Sequence, residues 1–210
     1  MIPNSDFPRK LTYREAFYFP VATSEARRDV FIGGLLIFFL IIGWILNLGN
    51  RLNVVSRLYK GQKPYFNGFK PWFFTFKRGC VSFLTISSYL FPSVLCGFLT
   101  WLLRDQGIFL IVGSILSLIL FVLAVFTLPG CMTVYAVENT PHVLWHPVQA
   151  FQRGWKQRKQ YLLAWRISLA SILISFLGLL LLGIGFFFTS VWAWEVVGYA
   201  FTVAMYSDES

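Results

Sequence analysis

The feature that most constrains this chain is the length of its apolar runs. The last of them, residues 161–206, carries one acidic residue, Glu195, and is too long for a single crossing of a bilayer. About 20 apolar residues are enough to traverse ~30 Å of hydrocarbon. Earlier runs occupy residues 30–48, 80–103 and 108–128. A chain of 210 residues that is 57% hydrophobic, 19% aromatic and only 13% charged departs from the soluble pattern, which is about a quarter charged and less than half apolar. Its interior is too small to hold the excess, and a bilayer supplies the missing solvent. The expected fold class is all-α, a polytopic transmembrane helical bundle of four to five spans with amphipathic interfacial helices.

Residues 1–29 are polar and of mixed charge, but Phe7, Leu11, Tyr13, Phe17, Tyr18 and Phe19 suit a segment lying on the membrane surface. Residues 30–206 form the membrane domain, with spans at about 30–48, 80–103, 108–128, 161–182 and 186–206, and 207–210 are a polar tail. Arg27-Arg28 ahead of the first run has the form of a secretory or twin-arginine signal. The run lacks a small-residue cleavage site, however, and several spans would survive cleavage. The first helix is expected to continue through Leu52, Val55 and Leu58 and to stop at Gly61. Pro92 interrupts the second span as a tolerated kink, and Pro129-Gly130 ends the third. Between those two, Arg104-Asp105-Gln106-Gly107 reads as a tight turn with a local Arg104–Asp105 ion pair. Gly183-Ile184-Gly185 divides the last stretch into two spans, with one long kinked or partly re-entrant helix as the alternative.

Small residues mark the seams. Ala164, Ser168, Ser171, Ser175 and Gly178 follow at steps of four, three, four and three, a stripe down one helix face. Membrane helices associate where small side chains let backbones approach. Ser114, Ser117 and Ala124 make a shorter stripe on the third span. Cys80, Cys96 and Cys131 are odd in number and widely spaced, which suits packing and excludes a CxxC motif.

Charge is one-sided. Of 18 basic residues, five fall in 1–29, seven in 49–78, one at Arg104 and five in 136–166. The positive-inside rule places 49–78 and 136–166 in the cytoplasm. The N-terminal segment is then external if the first span crosses, and its five basic residues argue against that. A half-inserted first helix would remove the conflict, and the sequence leaves the choice open. In both basic segments an amphipathic, aromatic elbow feeds a span: Lys70, Trp72, Lys77 and Arg78 in one, Trp155, Lys156, Arg158 and Lys159 in the other. Such elbows position a helix in the headgroup layer or dock anionic lipid or an acidic partner. The net charge of +9 is therefore read as membrane topology, and no nucleic-acid motif accompanies it.

Candidate chemistry is sparse. Charged groups at membrane depth mark a pathway or a partner, which singles out Glu195. At the centre of a fifth span it would be protonated or paired, although Arg166 and Arg104 lie too near the span ends; in an interfacial stretch it would be wet. Glu138, His142 and His146 recur at four-residue steps, but Pro141 and Pro147 break any helix that would align them, so no metal site is expected. No nucleophile–base arrangement, Walker loop, dinucleotide fingerprint or HExxH is present, and neither a catalytic residue nor a cofactor is expected.

Several of these elements resemble an uncharacterised family of prokaryotic integral-membrane proteins, domain of unknown function 4013. The resemblance lies in LGNRLNVVSRLYKGQKPYFNGF, in the Phe-Lys-Arg-Gly opening of the second span, in HPVQAFQRGWKQRKQYLLAW and in the Gly-Ile-Gly-Phe-Phe-Phe turn, together spread over most of the chain from about residue 48. It implies a multi-span fold in a prokaryotic inner membrane, or an internal one such as the thylakoid, and brings no site residues or activity. The expected role is a non-enzymatic accessory, assembly or scaffold subunit whose partners are membrane lipid and a membrane-protein complex. A small transporter or channel subunit using Glu195 is the alternative. A lipid-modifying enzyme would have only the His142/His146 loop to work with.

Overall fold

A computed structural model describes residues 7, 8, 10–103, 107–180 and 183–207. Every regular element among them is helical. Helix α1 (Tyr13–Tyr18) is capped by the Thr12 hydroxyl, and α2 (Ser24–Ile37) by the Thr23 hydroxyl, which accepts the Ala26 N–H at 3.2 Å. Each cap satisfies an N–H with no partner inside its helix. α3 (Leu40–Lys60) stops at Gly61, whose φ of +64° closes the helix end. There follow α4 (Trp72–Leu102), α5 (Gly107–Glu138), α6 (Pro147–Lys156), α7 (Arg158–Phe176) with a 3-10 turn to Leu180, and α8 (Ile184–Tyr206). Gly183, at φ +78°, precedes α8.

Four helical stretches are long and apolar enough to cross a membrane: Trp72–Leu102, Gly107–Glu138, Arg158–Leu180 and Ile184–Tyr206. The faces of α4 reinforce this. Its buried positions are Thr75, Arg78, Gly79, Ser82, Thr85, Ser93 and Thr100, while Leu84, Phe91, Val94, Phe98 and Leu99 point outward. A helix in water buries its apolar stripe. The reverse arrangement is stable only where the surroundings are hydrocarbon and small polar groups face other helices. The chain is a multi-pass membrane protein.

Backbone approach sets the seams. Gly49 of α3 lies against the Thr75 carbonyl and Gly79 of α4 against the Ile45 carbonyl, so these helices cross with no side chain between them. Across α4 and α5, the Ser93 hydroxyl donates to the Ser117 carbonyl at 2.8 Å and the Ser117 hydroxyl donates back to the Ser93 carbonyl at 2.9 Å. Across α7 and α8, the Thr189 hydroxyl donates to the Ser175 carbonyl at 2.7 Å, and Gly178 fits against Gly185. One core joins the N-terminal segment (Phe7, Leu11) to Leu52 and Tyr59 of α3, Cys131 and Val134 of α5, Tyr161 and Ile167 of α7, and Val196 and Phe201 of α8.

Two sequence expectations are corrected. The run 30–48 is not one span: the chain breaks at Phe38-Phe39, and α2 and α3 form a helical hairpin. Gly33 and Gly43 remove the side chains that would hold the arms apart, Gly43 lying directly against the Leu36 carbonyl, while Gly34 makes room for the Phe188 ring of α8. The Asn47 amide then donates to the carbonyls of both Gly33 and Gly43, each at 3.0 Å, and ties the arms together. Likewise, Pro129-Gly130 does not end α5, which continues to Glu138. A proline inside a helix costs about 3 kcal/mol, and here residues 131–137 are buried without exception, which outweighs it. The Tyr161 hydroxyl donates to the Phe126 carbonyl at 2.9 Å, next to the interruption. The expected 104–107 turn and its Arg104–Asp105 pair fall on residues 104–106, outside the described residues.

Candidate functional site

Ionisable side chains gather where the α2–α3 hairpin meets α8. Asp29, Arg51 and Glu195 are 1%, 6% and 3% exposed. Glu195 lies about halfway along α8. Three residues further, Gly198 opens a notch on the same face, and the Arg51 side chain lies in it: a methyl group there would stand 3.3 Å from its Cγ and 3.5 Å from its Nε. The Trp194 ring covers the guanidinium at 5.2 Å, an arrangement that stabilises a desolvated cation. Arg51 and Glu195 attract one another electrostatically, and Asp29 adds a second negative charge to the surroundings of Glu195. Arg51 Nε and Glu195 Oε2 have no hydrogen-bond partner among the described residues, so the attraction acts through space.

Asp29 stands at the foot of the hairpin. Its Oδ2 accepts the Gly68 N–H at 2.9 Å, and its Oδ1 is 3.6 Å from Arg28 Nε. Burial pushes the carboxyl above its ordinary value of 3.8, while the Gly68 N–H and Arg28 pull it back. Gly68, at φ +63°, sits so close to Arg28 that a side chain there would be 3.2 Å from Nη2. These contacts bind α2 to the 61–71 connector.

Arg78 is a second buried cation and a correction to the elbow assignment. Rather than facing membrane or partner, it is 5% exposed and spends all five N–H groups inside the protein. Nε and Nη2 donate to Asn139 Oδ1 at 3.2 and 2.8 Å, Nη2 also to the Ala136 carbonyl at 3.2 Å, and Nη1 to the Leu52 carbonyl and Asn53 Oδ1 at 3.4 and 3.1 Å. The guanidinium also lies 4.9 Å from the Phe74 ring and 5.9 Å from the Tyr135 ring. It fastens the start of α4 to α3 and to the end of α5.

The other elbow residues, Lys70, Trp72, Lys77, Trp155, Lys156, Arg158 and Lys159, are exposed. α4 begins where α5 ends, through Arg78, and α6 and α7 follow directly from α5, so both elbows lie at one end of the bundle. Ala164, Ser168, Ser171, Ser175 and Gly178 are all buried, on the α7 side that carries the Thr189 and Gly185 contacts to α8. Within the second elbow, Leu144 turns into the core while Val148 is exposed. The His142 and His146 rings stand 5.8 Å apart at the surface, His142 within the short 3-10 turn Pro141–Trp145 and His146 just after it, before α6. Among the described residues, no three His, Cys, Asp or Glu side chains converge in a way that could hold a metal ion.

Sequence reasoning missed Arg51, Asp29 and Arg78 as interior groups. A signal existed for two of them. Arg51 falls three residues after Leu48 and four before Val55, on the apolar stripe of its own helix. Arg78 belongs to the series Thr75, Arg78, Ser82, Thr85, whose steps of three, four and three define the inner face of α4.

No protein-family model, no curated protein and no solved structure matches the chain.

Proposed function

We propose that the protein is a non-enzymatic accessory, assembly or scaffold subunit of a larger membrane complex, in a prokaryotic membrane. The carrying observation is the pair of exposed elbows at one end of the bundle, Lys70/Trp72/Lys77 and Trp155/Lys156/Arg158/Lys159. Aromatic rings anchor at the headgroup layer, and clustered lysine and arginine attract anionic lipid or an acidic partner protein. The buried charges support the same reading: Glu195 and Arg51 are both sealed from solvent and attract one another, which gives Glu195 a structural role. The likeness to domain of unknown function 4013 adds no activity to this role.

Extraction from native membranes in mild detergent is the test. The chain should migrate with a larger assembly, and the charge reversals Lys70→Glu/Lys77→Glu or Lys156→Glu/Lys159→Glu should release it while leaving its membrane level unchanged. Recovery of the unaltered chain solely as a free monomer would refute the role.

One observation favours a second reading, a small proton- or cation-coupled transporter: ionisable groups inside a membrane bundle line transport paths by default, and Asp29, Arg51 and Glu195 are such groups. Proteoliposomes separate the two. A carrier gives flux that Glu195→Gln abolishes, whereas an accessory subunit gives none in either form.

A further inference from the structure

We infer that the α2–α3 hairpin is a re-entrant membrane wedge. Its tip, residues 38–44, sits in bilayer hydrocarbon, and both of its ends emerge on the cationic side. The proposal does not depend on the role given above. Its first support is geometric. The hairpin reverses direction between Ile37 and Leu40, with Gly43 against the Leu36 carbonyl and Asn47 bridging both arms, so the chain returns to the side it entered. At 1.5 Å per residue, α2 with its 14 residues is about 21 Å long, short of the ~30 Å hydrocarbon layer.

The second support is what the tip presents and where it lies. Phe38, Phe39, Leu40, Ile41, Ile42 and Trp44 are all exposed, Leu40 to 74%, and no charged residue occurs from Val30 to Asn50. The arms run along α8, itself long and apolar enough to cross: Phe31 stacks on Phe188 at 5.4 Å, Phe38 meets Phe187 edge-on at 4.6 Å, and Gly33 receives Val191. The tip thus reaches the first turn of α8, far from the cationic end, and continues the apolar surface of that helix. Backbone polar groups in hydrocarbon must find their partners within the protein. Here the Phe38 and Phe39 N–H groups donate to the Leu35 and Leu36 carbonyls at 3.2 and 2.9 Å.

The third support is charge. A hairpin that does not cross puts the basic N-terminal segment on the same face as the basic residues of 49–78 and 136–166. A crossing first span would divide them and oppose the positive-inside rule.

The test uses the full chain with an epitope tag at each end, in sealed membrane vesicles of known orientation treated with protease. The wedge gives four crossings, so both tags are digested from the same side. Digestion from opposite sides means that the segment crosses and overturns the proposal. A second measurement addresses the tip: a bimane on Leu40→Cys, in a background with Cys80, Cys96 and Cys131 replaced by Ser, should be quenched at least two-fold by nitroxide-bearing lipid and should resist a membrane-impermeant quencher. Quenching from water, or a disulfide between two copies through this cysteine in place of lipid quenching, would overturn it.

Discussion

Replacing Arg78 with Met should produce the largest single loss of stability in this protein. Methionine keeps much of the volume but offers no donor, so five bonds vanish and four acceptors at the α3–α4–α5 junction lose their donor. Three of the five bonds are 3.2 Å or longer, so the low end of the charge-assisted range applies, about 1.5 kcal/mol each and about 7 kcal/mol together. Several kcal/mol return because a cation no longer has to be desolvated, leaving a net loss of about 3–4 kcal/mol. At about 2–4 °C per kcal/mol for a chain of this size, the melting midpoint should fall by about 6–16 °C. Intrinsic Trp fluorescence of detergent-solubilised protein during heating measures it. Arg78→Lys should fall between wild type and Met, since a lysine has three donors and no fork. Asn139→Ala, which removes the acceptor of two bonds, should combine with Arg78→Met less than additively. A midpoint for Arg78→Met within about 2 °C of wild type would refute the reasoning.

Three further outcomes are expected. Arg51→Gln and Glu195→Gln should combine non-additively in the melting midpoint, because the two charges attract one another; strictly additive single effects would show that they do not interact. Because burial raises the Asp29 pKa above 3.8, the folded state holds that proton more tightly than the unfolded chain, and the associated stabilisation is lost as pH rises through the folded value. Wild-type melting points should therefore decline above about pH 4 relative to Asp29→Asn, which keeps an acceptor for the Gly68 N–H; a gap that does not change with pH would contradict the burial. Gly49→Ala and Gly79→Ala each drive a methyl group into a carbonyl of the facing helix and should cost about 1–3 kcal/mol apiece; wild-type melting in both variants would mean that α3 and α4 do not cross as closely as described.

Much of the architecture is legible in the residue pattern because length and hydropathy alone specify a membrane helix. The runs expected at about 80–103, 108–128, 161–182 and 186–206 overlap the four helices long and apolar enough to cross, although α4 starts earlier and α5 ends later than the pattern suggests. The helical hairpin at 24–60 is not legible in that way. Its reversal is made by Phe38, Phe39 and Leu40, residues with no turn preference, and it depends on glycines that meet the opposite arm or the side chains of α8. A proline signal misled at Pro129, because the preference of one residue was outweighed by the burial of the seven after Gly130. The candidate site was half visible. Glu195 stands out as an acid in an apolar run, but Arg51, its electrostatic partner, comes from a segment whose basic residues all read as solvated connector charges.

The stacking of Phe31 on Phe188, the edge-on contact of Phe38 with Phe187, and the bond from Trp192 Nε1 to the Phe17 carbonyl, separated by 175 positions in the chain, bear on how the molecule is made. Residues 17–38 thus have part of their docking site on a helix that follows them at long sequence separation. Helix α3 can settle on α4 and α5 before α8 is made, but the final placement of α2 against α8 waits for that helix. Contacts of such long sequence separation are slow to form, and a chain truncated before residue 184 should leave α2 more open to proteases than the longer chain does.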